Sequence, residues 1–404
     1  MKITFIGDIM IEPPVLQAAR QKDGSYNFDE VFEKAKSLFE EADLLIGNLE
    51  TPLAGEEALY TQHYYAFNAP DAYADAVKKA GFDMVSTANN HTFDRGFAGA
   101  ERTIRVLEEK KIAYHGSCLS GQQPPEAAYL QKDGLTVAVI AYTYGTNYSG
   151  SGLQCLAEGE KEGTVNLLRP QKETVYQPGV FRTDWVDKLF PKMRNEKRGD
   201  LKKLLGMPAN YSRADDRLDK RTMAPYLERF QRDIRKAKEK ADLVICYPHV
   251  GGQFNPYPGA ISEYVMEKAM EAGADAVLAS HSHMLQRAVL RKGIPCIYSL
   301  GNYNMDPLSS LVIEELLPFY GIAVHLYTEG SRITKTTFSL LRMTRKKGGQ
   351  VLTWPVDELY ETLDEKGREK LKKEVSQAYR IVNECELEEP VIRREYTLTN
   401  QMDL

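Results

Sequence analysis

Cysteine is scarce and scattered in this 404-residue chain. Cys118, Cys155, Cys246, Cys296 and Cys385 form no CxxC pair, which excludes a sequence-evident disulfide framework or cysteine-ligated zinc site. Cys246 and Cys296 lie in apolar runs and read as core residues of a protein kept in reducing surroundings. No apolar run approaches the roughly 20 residues that cross a bilayer. Residues 1–8 alternate and stop at Gly7-Asp8, as a first strand does and a signal peptide does not. The expectation is a cytoplasmic chain as written, or an extracellular one whose anchor has been removed. Excess positive charge is also missing: the net charge of −5 supplies no basic field for nucleic acid. Nothing in the composition sets the oligomeric state.

Histidine is sparse too, at seven residues, yet two of them stand in Ser280-His281-Ser282-His283. This step follows the apolar run 275–279, which reads as a buried strand. Alone, the pair reads as hydrogen-bonded loop histidines. The rest of the chain alternates strands and helices. Strands are expected at 2–7, 43–47, 82–87, 112–115, 127–131 and 135–142, and helices at 28–41, 71–80 and 97–110. After a break the rhythm resumes with helices at 223–240 and 260–273 and strands at 242–248, 275–279, 285–291 and 294–299. Two strands are expected in 320–344 and one charged helix in 356–382. This is the βαβ rhythm of a layered α/β domain. The expected organisation is one domain over 1–330 with an insertion at about 146–222, and a strand/helix extension over 331–404 packed on the core. Residues 182–221 hold twelve Lys/Arg against seven Asp/Glu. They read either as a solvated insertion or as a lid facing an anionic substrate.

Five segments share one design, an apolar strand followed at once by groups able to bind metal. They are Gly7-Asp8, Gly47-Asn48-Leu49-Glu50, Asn89-Asn90-His91, Pro248-His249 and His281-Ser282-His283. Each alone is a turn, a cap or a hydrogen-bonded loop. Parallel strands put their carboxyl ends on one edge, so the five sets can converge. Imidazole with carboxylate suits Mn, Fe or Zn rather than Ca. A pair of such ions about 3.5–4 Å apart clamps the oxygens of an in-line displacement at phosphorus.

The order Asp8, Glu50, Asn90-His91, His249, His281-x-His283 resembles the calcineurin-like metallophosphoesterases, and within them the bacterial capsule-synthesis CapA family linked to poly-γ-glutamate production. The pieces are residues 5–10, 47–52, 88–96, 249–251, 281–286 and 298–303, spread over roughly 1–145 and 223–305. The resemblance implies a four-layer α/β/β/α sandwich and a dinuclear metal-dependent hydrolase. It assigns Asp8, Glu50 and His283 to one metal, and Glu50, Asn90, His249 and His281 to the other, with Glu50 bridging. A metal-bridging hydroxide would be the nucleophile. His91 would be the general acid, or would steady the transferring group. Asp94 would orient it, although a helix N-cap is an equal reading of Asp94. Phosphoesters, or peptide-like or acyl-phosphate species, would be the substrates.

The pattern departs from the wider superfamily at Met10, which stands where a histidine is usual. A thioether is a poor ligand for Mn or Zn, so the first metal is expected to be held weakly. His63, in the tyrosine-rich stretch 60–65, is a candidate substrate contact. His115 and His325 read as ordinary strand residues, and Asn302 as part of a turn near the metals rather than a ligand. The competing expectation is a non-catalytic accessory subunit that binds an anionic polymer or a partner in a membrane-associated capsule synthesis complex.

Overall fold

The computed structural model describes residues 1–147, 149–150, 153–154, 156–157, 159–171, 186, 189–190, 193, 201, 204–205, 214–308, 316–346 and 349–402. The strands in chain order are β1 Lys2–Ile9, β2 Leu44–Leu49, β3 Met84–Ser86, β4 Ala113–His115, β5 Ala128–Lys132, β6 Leu135–Thr143, β7 Ser149–Gly150, β8 Leu153–Gln154, β9 Leu243–His249, β10 Ala276–Leu278, β11 Ala288–Arg291, β12 Ile294–Ile297, β13 Tyr320–Glu329, β14 Arg332–Arg345, β15 Val351–Pro355, β16 Tyr396–Thr397 and β17 Gln401–Met402. One sheet runs β15-β14-β13-β1-β2-β3-β4, with β16 beside β14, and the other runs β17-β11-β12-β10-β9-β6-β5. In the first, β1 to β4 are parallel. In the second, β6, β9, β10 and β12 are parallel.

Side-chain alternation sorts the layers. On β6, β9 and β10, residues Val137, Val139, Ile245, Tyr247, Ala276 and Leu278 join the core shared with the first sheet. Their neighbours Ala138, Ile140, Val244, Cys246 and Val277 turn the other way, onto Phe230, Ile234, Val265 and Met266. Those four belong to the helices Lys220–Lys238 and Ala260–Glu271. Strands buried on both faces have no polar side to show, which is why these runs are continuously apolar. Between the sheets, Phe5 meets Tyr247 edge-on at 5.4 Å, and the Tyr247 hydroxyl donates to the Ile6 carbonyl at 2.5 Å. The first sheet carries on its far face Phe32 and Phe39, whose rings meet those of Phe82 and Tyr303, and Tyr73, whose ring meets those of Phe28 and Phe32. The expected α/β/β/α layering is the observed one.

Several elements differ in detail. β1 reaches Ile9, so Asp8 stands inside the strand, at an irregularity in its pairing with β2 between Phe5 and Asp8. The helix expected at 28–41 is two short ones, Asp29–Glu33 and Lys36–Glu40, and the helix Pro13–Ala19 was not anticipated. The charged helix of 356–382 is also two, Val356–Thr362 and Glu365–Asn383. The second restarts where the Asp364 carboxylate accepts from the Gly367 amide. β14 pairs with β13 from Arg342 to Arg332, and β16 and β17 add to both sheets, so residues after 330 contribute strands to the central layers. Most of the basic stretch 182–221 lies outside the described residues. Within it, Asp215 accepts from the Gly259 and Ser262 amides and so caps the start of Ala260–Glu271.

A close approach of two segments near the middle of the fold depends on one glycine. A Cβ on Gly7 would stand 1.9 Å from the Gly301 carbonyl oxygen. With only hydrogen there, the segment Leu300–Tyr303 lies close against β1, bridged in parallel between Asp8 and Asn302. The Asp8 amide donates to the Gly301 carbonyl and the Tyr303 amide to the Asp8 carbonyl.

Two histidines are structural, as expected. His115 accepts from the Ala141 amide through Nδ1, and its Nε2 donates to the Pro125 carbonyl. His325 is fully buried on β13 between Thr4 and Ser339 hydroxyls. Burial pushes the His325 imidazole from 6.5 down to about 3, and Lys2 adds to the same direction. The folded state therefore holds it neutral where the unfolded chain binds a proton. Its contribution is complete above pH 6.5 and falls as pH drops toward 3. Urea titrations of wild type and His325→Gln should diverge less at about pH 4.5 than at about pH 7.5. A constant difference across that range contradicts the assignment.

Candidate metal centre

Five strand ends meet at one edge of the sandwich, three from the first sheet and two from the second. β1 brings Asp8, β2 leads into Glu50, and β3 into Asn89, Asn90 and His91. β9 ends on His249, and β10 leads into His281 and His283. All of these side chains are buried, and Asp8 and Glu50 are wholly inaccessible. The two histidines after β10 reach the same edge through an unusual backbone: φ is 111° at His281 and 56° at His283. Positive φ in bulky residues costs of order 1–3 kcal/mol each and gathers at functional sites.

Glu50 is the centre. Its Oε1 lies 3.4 Å from His249 Nε2, 3.8 Å from His283 Nε2 and 3.8 Å from His91 Nε2. Neither carboxylate oxygen has a hydrogen-bond partner. Two groups of potential ligand atoms lie within 4.8 Å of one another: Asp8, Glu50 and His249, and Glu50, His281 and His283. Glu50 belongs to both. These groups divide the remaining ligands differently from the expected split, pairing Asp8 with His249 and His281 with His283. The closest contacts follow the expected split. His249 Nε2 is 2.7 Å from Asn90 Oδ1 and 3.0 Å from His281 Nδ1, and His283 Nδ1 is 3.4 Å from Asp8 Oδ2.

The charge states follow from these neighbours. Burial pushes Glu50 well above the carboxylate range, and Asp8 pushes it the same way. Burial also pushes on Asp8, but His283, His249 and Asn48 outweigh it and hold that carboxyl at about 2. Burial drives His249 down to about 3, and His281 well below its usual value with His249 adding to the effect. His283 is the exception. Burial disfavours its charge, yet Glu50 and Asp8 hold it up at about 9. His249 and His281 are thus neutral imidazoles, the form a metal takes. Ligand-type atoms of Asn90, His249 and His281 crowd one point.

Neighbouring amides orient this set. Asn48 donates through Nδ2 to Asp8 Oδ1 at 2.8 Å and faces His249 Nδ1 at 3.2 Å. Asn302 Oδ1 accepts from His283 Nδ1 at 2.8 Å, leaving Nε2 to face Glu50. Its Nδ2 donates to the His283 and Pro318 carbonyls. Such second contacts fix imidazole tautomers in metal sites. Asn48 and Asn302 stood in the quoted motifs without a role. Asn147, beyond the end of β6, was missed; only its place after a strand could have signalled it. It bonds to Asn90 and Asp94 and lies beside His91 Nδ1.

His91 faces the cluster from the side. Its ring stacks on Phe67 at 4.3 Å between centroids, and its Nδ1 donates to Asp94 Oδ2 at 2.5 Å. Asp94 Oδ2 also accepts from the Phe67 amide at 2.7 Å. Asp94 therefore holds His91, while the N-cap of the helix Gly96–Glu109 is Arg95. Met10 is buried in the apolar core, and its backbone is bound by Asn304 and Tyr73. His63 is exposed, with its ring 6.5 Å from that of Tyr65.

Among the described residues no helix is long and apolar enough to cross a membrane. Residues 2–307 match the family described as bacterial capsule synthesis protein PGA_cap. The chain is 27% identical over 307 residues to the uncharacterized protein y4sH of Sinorhizobium fredii, covering 72% of this chain and 64% of that protein. It is 24% identical over 310 residues to the capsule biosynthesis protein CapA of Bacillus anthracis, covering 76% and 60%. It is 22% identical over 313 residues to the PGA biosynthesis protein CapA of Bacillus subtilis, covering 76% and 63%. The match thus spans less than two thirds of the length of these relatives. A hypothetical protein from Thermus thermophilus superposes with a TM-score of 0.44 at 17% identity, over 85% of this chain and 99% of that one.

Proposed function

The chain belongs to the bacterial capsule synthesis PGA_cap family, and from that premise we propose that it is a dinuclear metal-dependent hydrolase of phosphoester or related bonds in capsule biosynthesis. The observation that carries this reading is Glu50. A buried carboxylate without a single hydrogen bond is costly, and buried polar groups are otherwise almost always paired. With Asp8, His249, His281 and His283, Glu50 forms a donor set suited to Mn, Fe or Zn. The residues fit two cations with Glu50 shared. Asp8 and His283 would complete one side, and Asn90, His249 and His281 the other. When bound, the ions supply Lewis acidity and a water of lowered pKa.

The protein's own groups do the rest. Burial of the whole set excludes bulk water and strengthens each electrostatic contact. Asp94 accepts the Nδ1 proton of His91, so Nε2 is the atom presented to the cluster. With both ring nitrogens protonated, His91 can hand the Nε2 proton to a leaving oxygen and keep the Nδ1 proton on Asp94. Phe67 keeps the ring from turning away. The substrate class is anionic, and the link to capsule polymer follows the names of the Bacillus relatives.

Elemental analysis of protein purified without chelator, followed by hydrolysis of bis(p-nitrophenyl) phosphate, tests the reading. About two equivalents of transition metal per chain and chelator-sensitive turnover are expected. Metal content that survives the double change Asn90→Ala and His249→Ala would sink it.

A further inference from the structure

Asn147 touches both halves of the site. Its Oδ1 accepts from Asn90 Nδ2 at 3.1 Å, and its backbone amide donates to the Asn90 carbonyl at 2.8 Å. Its Nδ2 donates to Asp94 Oδ1 at 3.2 Å and lies 3.3 Å from His91 Nδ1. His91 Nδ1 already gives its proton to Asp94 Oδ2, so the Asn147 amide can serve only the other oxygen of that carboxylate. The two ends of one amide thus have opposite tasks. The oxygen end takes the Asn90 amino group and thereby turns the Asn90 oxygen toward His249. The nitrogen end takes Asp94, whose remaining oxygen holds the acid.

The loop that carries Asn147 is braced from behind. The Thr143 amide donates to the Asn166 carbonyl and the Leu168 amide to the Thr143 carbonyl. Gln171 accepts from the Thr146 amide at 2.9 Å and donates to the Tyr144 carbonyl at 3.3 Å. The Tyr144 amide donates to the His249 carbonyl, and its ring lies 4.5 Å from that of His281. Residues 143–147 are held on three sides.

We propose that Asn147 is a positioning residue that aligns the ligand Asn90 and the His91–Asp94 acid pair through the two ends of its side chain. The proposal rests on the reading of Asn90 as a ligand and His91 as the acid. It separates two substitutions. Asn147→Asp keeps an oxygen for Asn90 but sets a like charge against Asp94. Asn147→Ala removes both contacts.

The test compares Mn(II) affinity by calorimetry with kcat and KM on a dialkyl phosphodiester. Loss of such an outer contact typically costs about 10–100-fold in metal affinity or activity. Asn147→Ala is expected to lose on that order in both Mn(II) affinity and kcat. Asn147→Asp is expected to lose kcat on that order with Mn(II) affinity within about twofold of wild type. Equal weakening of Mn(II) binding in the two variants overturns the proposal. So does a kcat within about twofold of wild type in either one. Wild-type protein that takes up no Mn(II) overturns the proposed function instead. The clamp is then decided by crystal structures of the metal-free variants. In Asn147→Ala the Asn90 amide and His91 ring should move by about 1 Å, enough to cost on the order of 10²-fold in rate. Unmoved groups overturn it.

Discussion

Glu50→Gln is expected to remove activity and metal together while leaving the chelated protein at least as stable as wild type. The two effects have one origin. Glu50 lies at the common point of both ligand groups, so neither cation keeps its full donor set without it. Losing one member of a cooperating catalytic unit costs on the order of 10⁴-fold or more in kcat. In the absence of metal the same carboxylate is a burden. It is wholly buried, has no hydrogen-bond partner, and stands close enough to Asp8 to be pushed further from ionisation. An unsatisfied buried polar group costs about 1–3 kcal/mol, and more when charged. Replacing it with an amide removes a buried carboxyl that must either lose its hydration as an anion or be held protonated, at nearly constant volume. Urea unfolding with and without chelator reads both effects. Metal at about 100 times its Kd should stabilise wild type by about 2.7 kcal/mol. The variant should show no metal-dependent gain. A Glu50→Gln protein that still carries two ions, or that unfolds more readily than chelated wild type, contradicts this account.

The second large effect concerns the proton. Asp94→Asn and His91→Ala should both retain metal yet lose turnover on substrates with a poor leaving group, by about 10²–10⁴-fold. The Asp94 carboxylate accepts three hydrogen bonds, from His91, the Phe67 amide and Asn147. An amide offers one accepting oxygen, so at least one donor is abandoned and the His91 tautomer is no longer fixed. Nitrophenolate leaves without help and an alkoxide does not. The loss should therefore be large on a dialkyl diester and small on bis(p-nitrophenyl) phosphate. Equal losses on the two esters would show that His91 acts by steadying the transferring group instead of by donating a proton.

Much of this site was legible because it stands at strand ends. An apolar run of five or six residues followed by Asp, Asn or His is visible in any linear reading, and β2, β9 and β10 end where their composition changes. The four-layer order was legible only through the family resemblance; the strand and helix rhythm by itself reads as a layered α/β domain. What stayed hidden is set by tertiary geometry. Asn302 reads as a turn residue because its partner His283 is 19 positions away and on another segment. Asn147 was invisible because an amide carries no periodic or motif signal of its own. The pairing of the chain's last strands with both sheets was equally hidden. Two-residue strands such as β16 and β17 have too few positions to show alternation.

The close approach of Leu300–Tyr303 to Gly7 has a consequence for how the protein is made. The Asp8 carboxylate receives the His281 amide from 273 residues further along. Asn302, which steadies His283, comes later still. At roughly 5–20 residues per second, the ribosome delivers these partners about 14–59 s after Asp8 has emerged. Until His249 is made, the growing chain holds an unfinished half-site, with Asp8, Glu50 and Asn90 present and no histidine from the second sheet. Such a fragment offers hard oxygen donors and little to discriminate among divalent ions. On the proposed reading, metal selection belongs to the finished fold, after synthesis has passed the last of these segments.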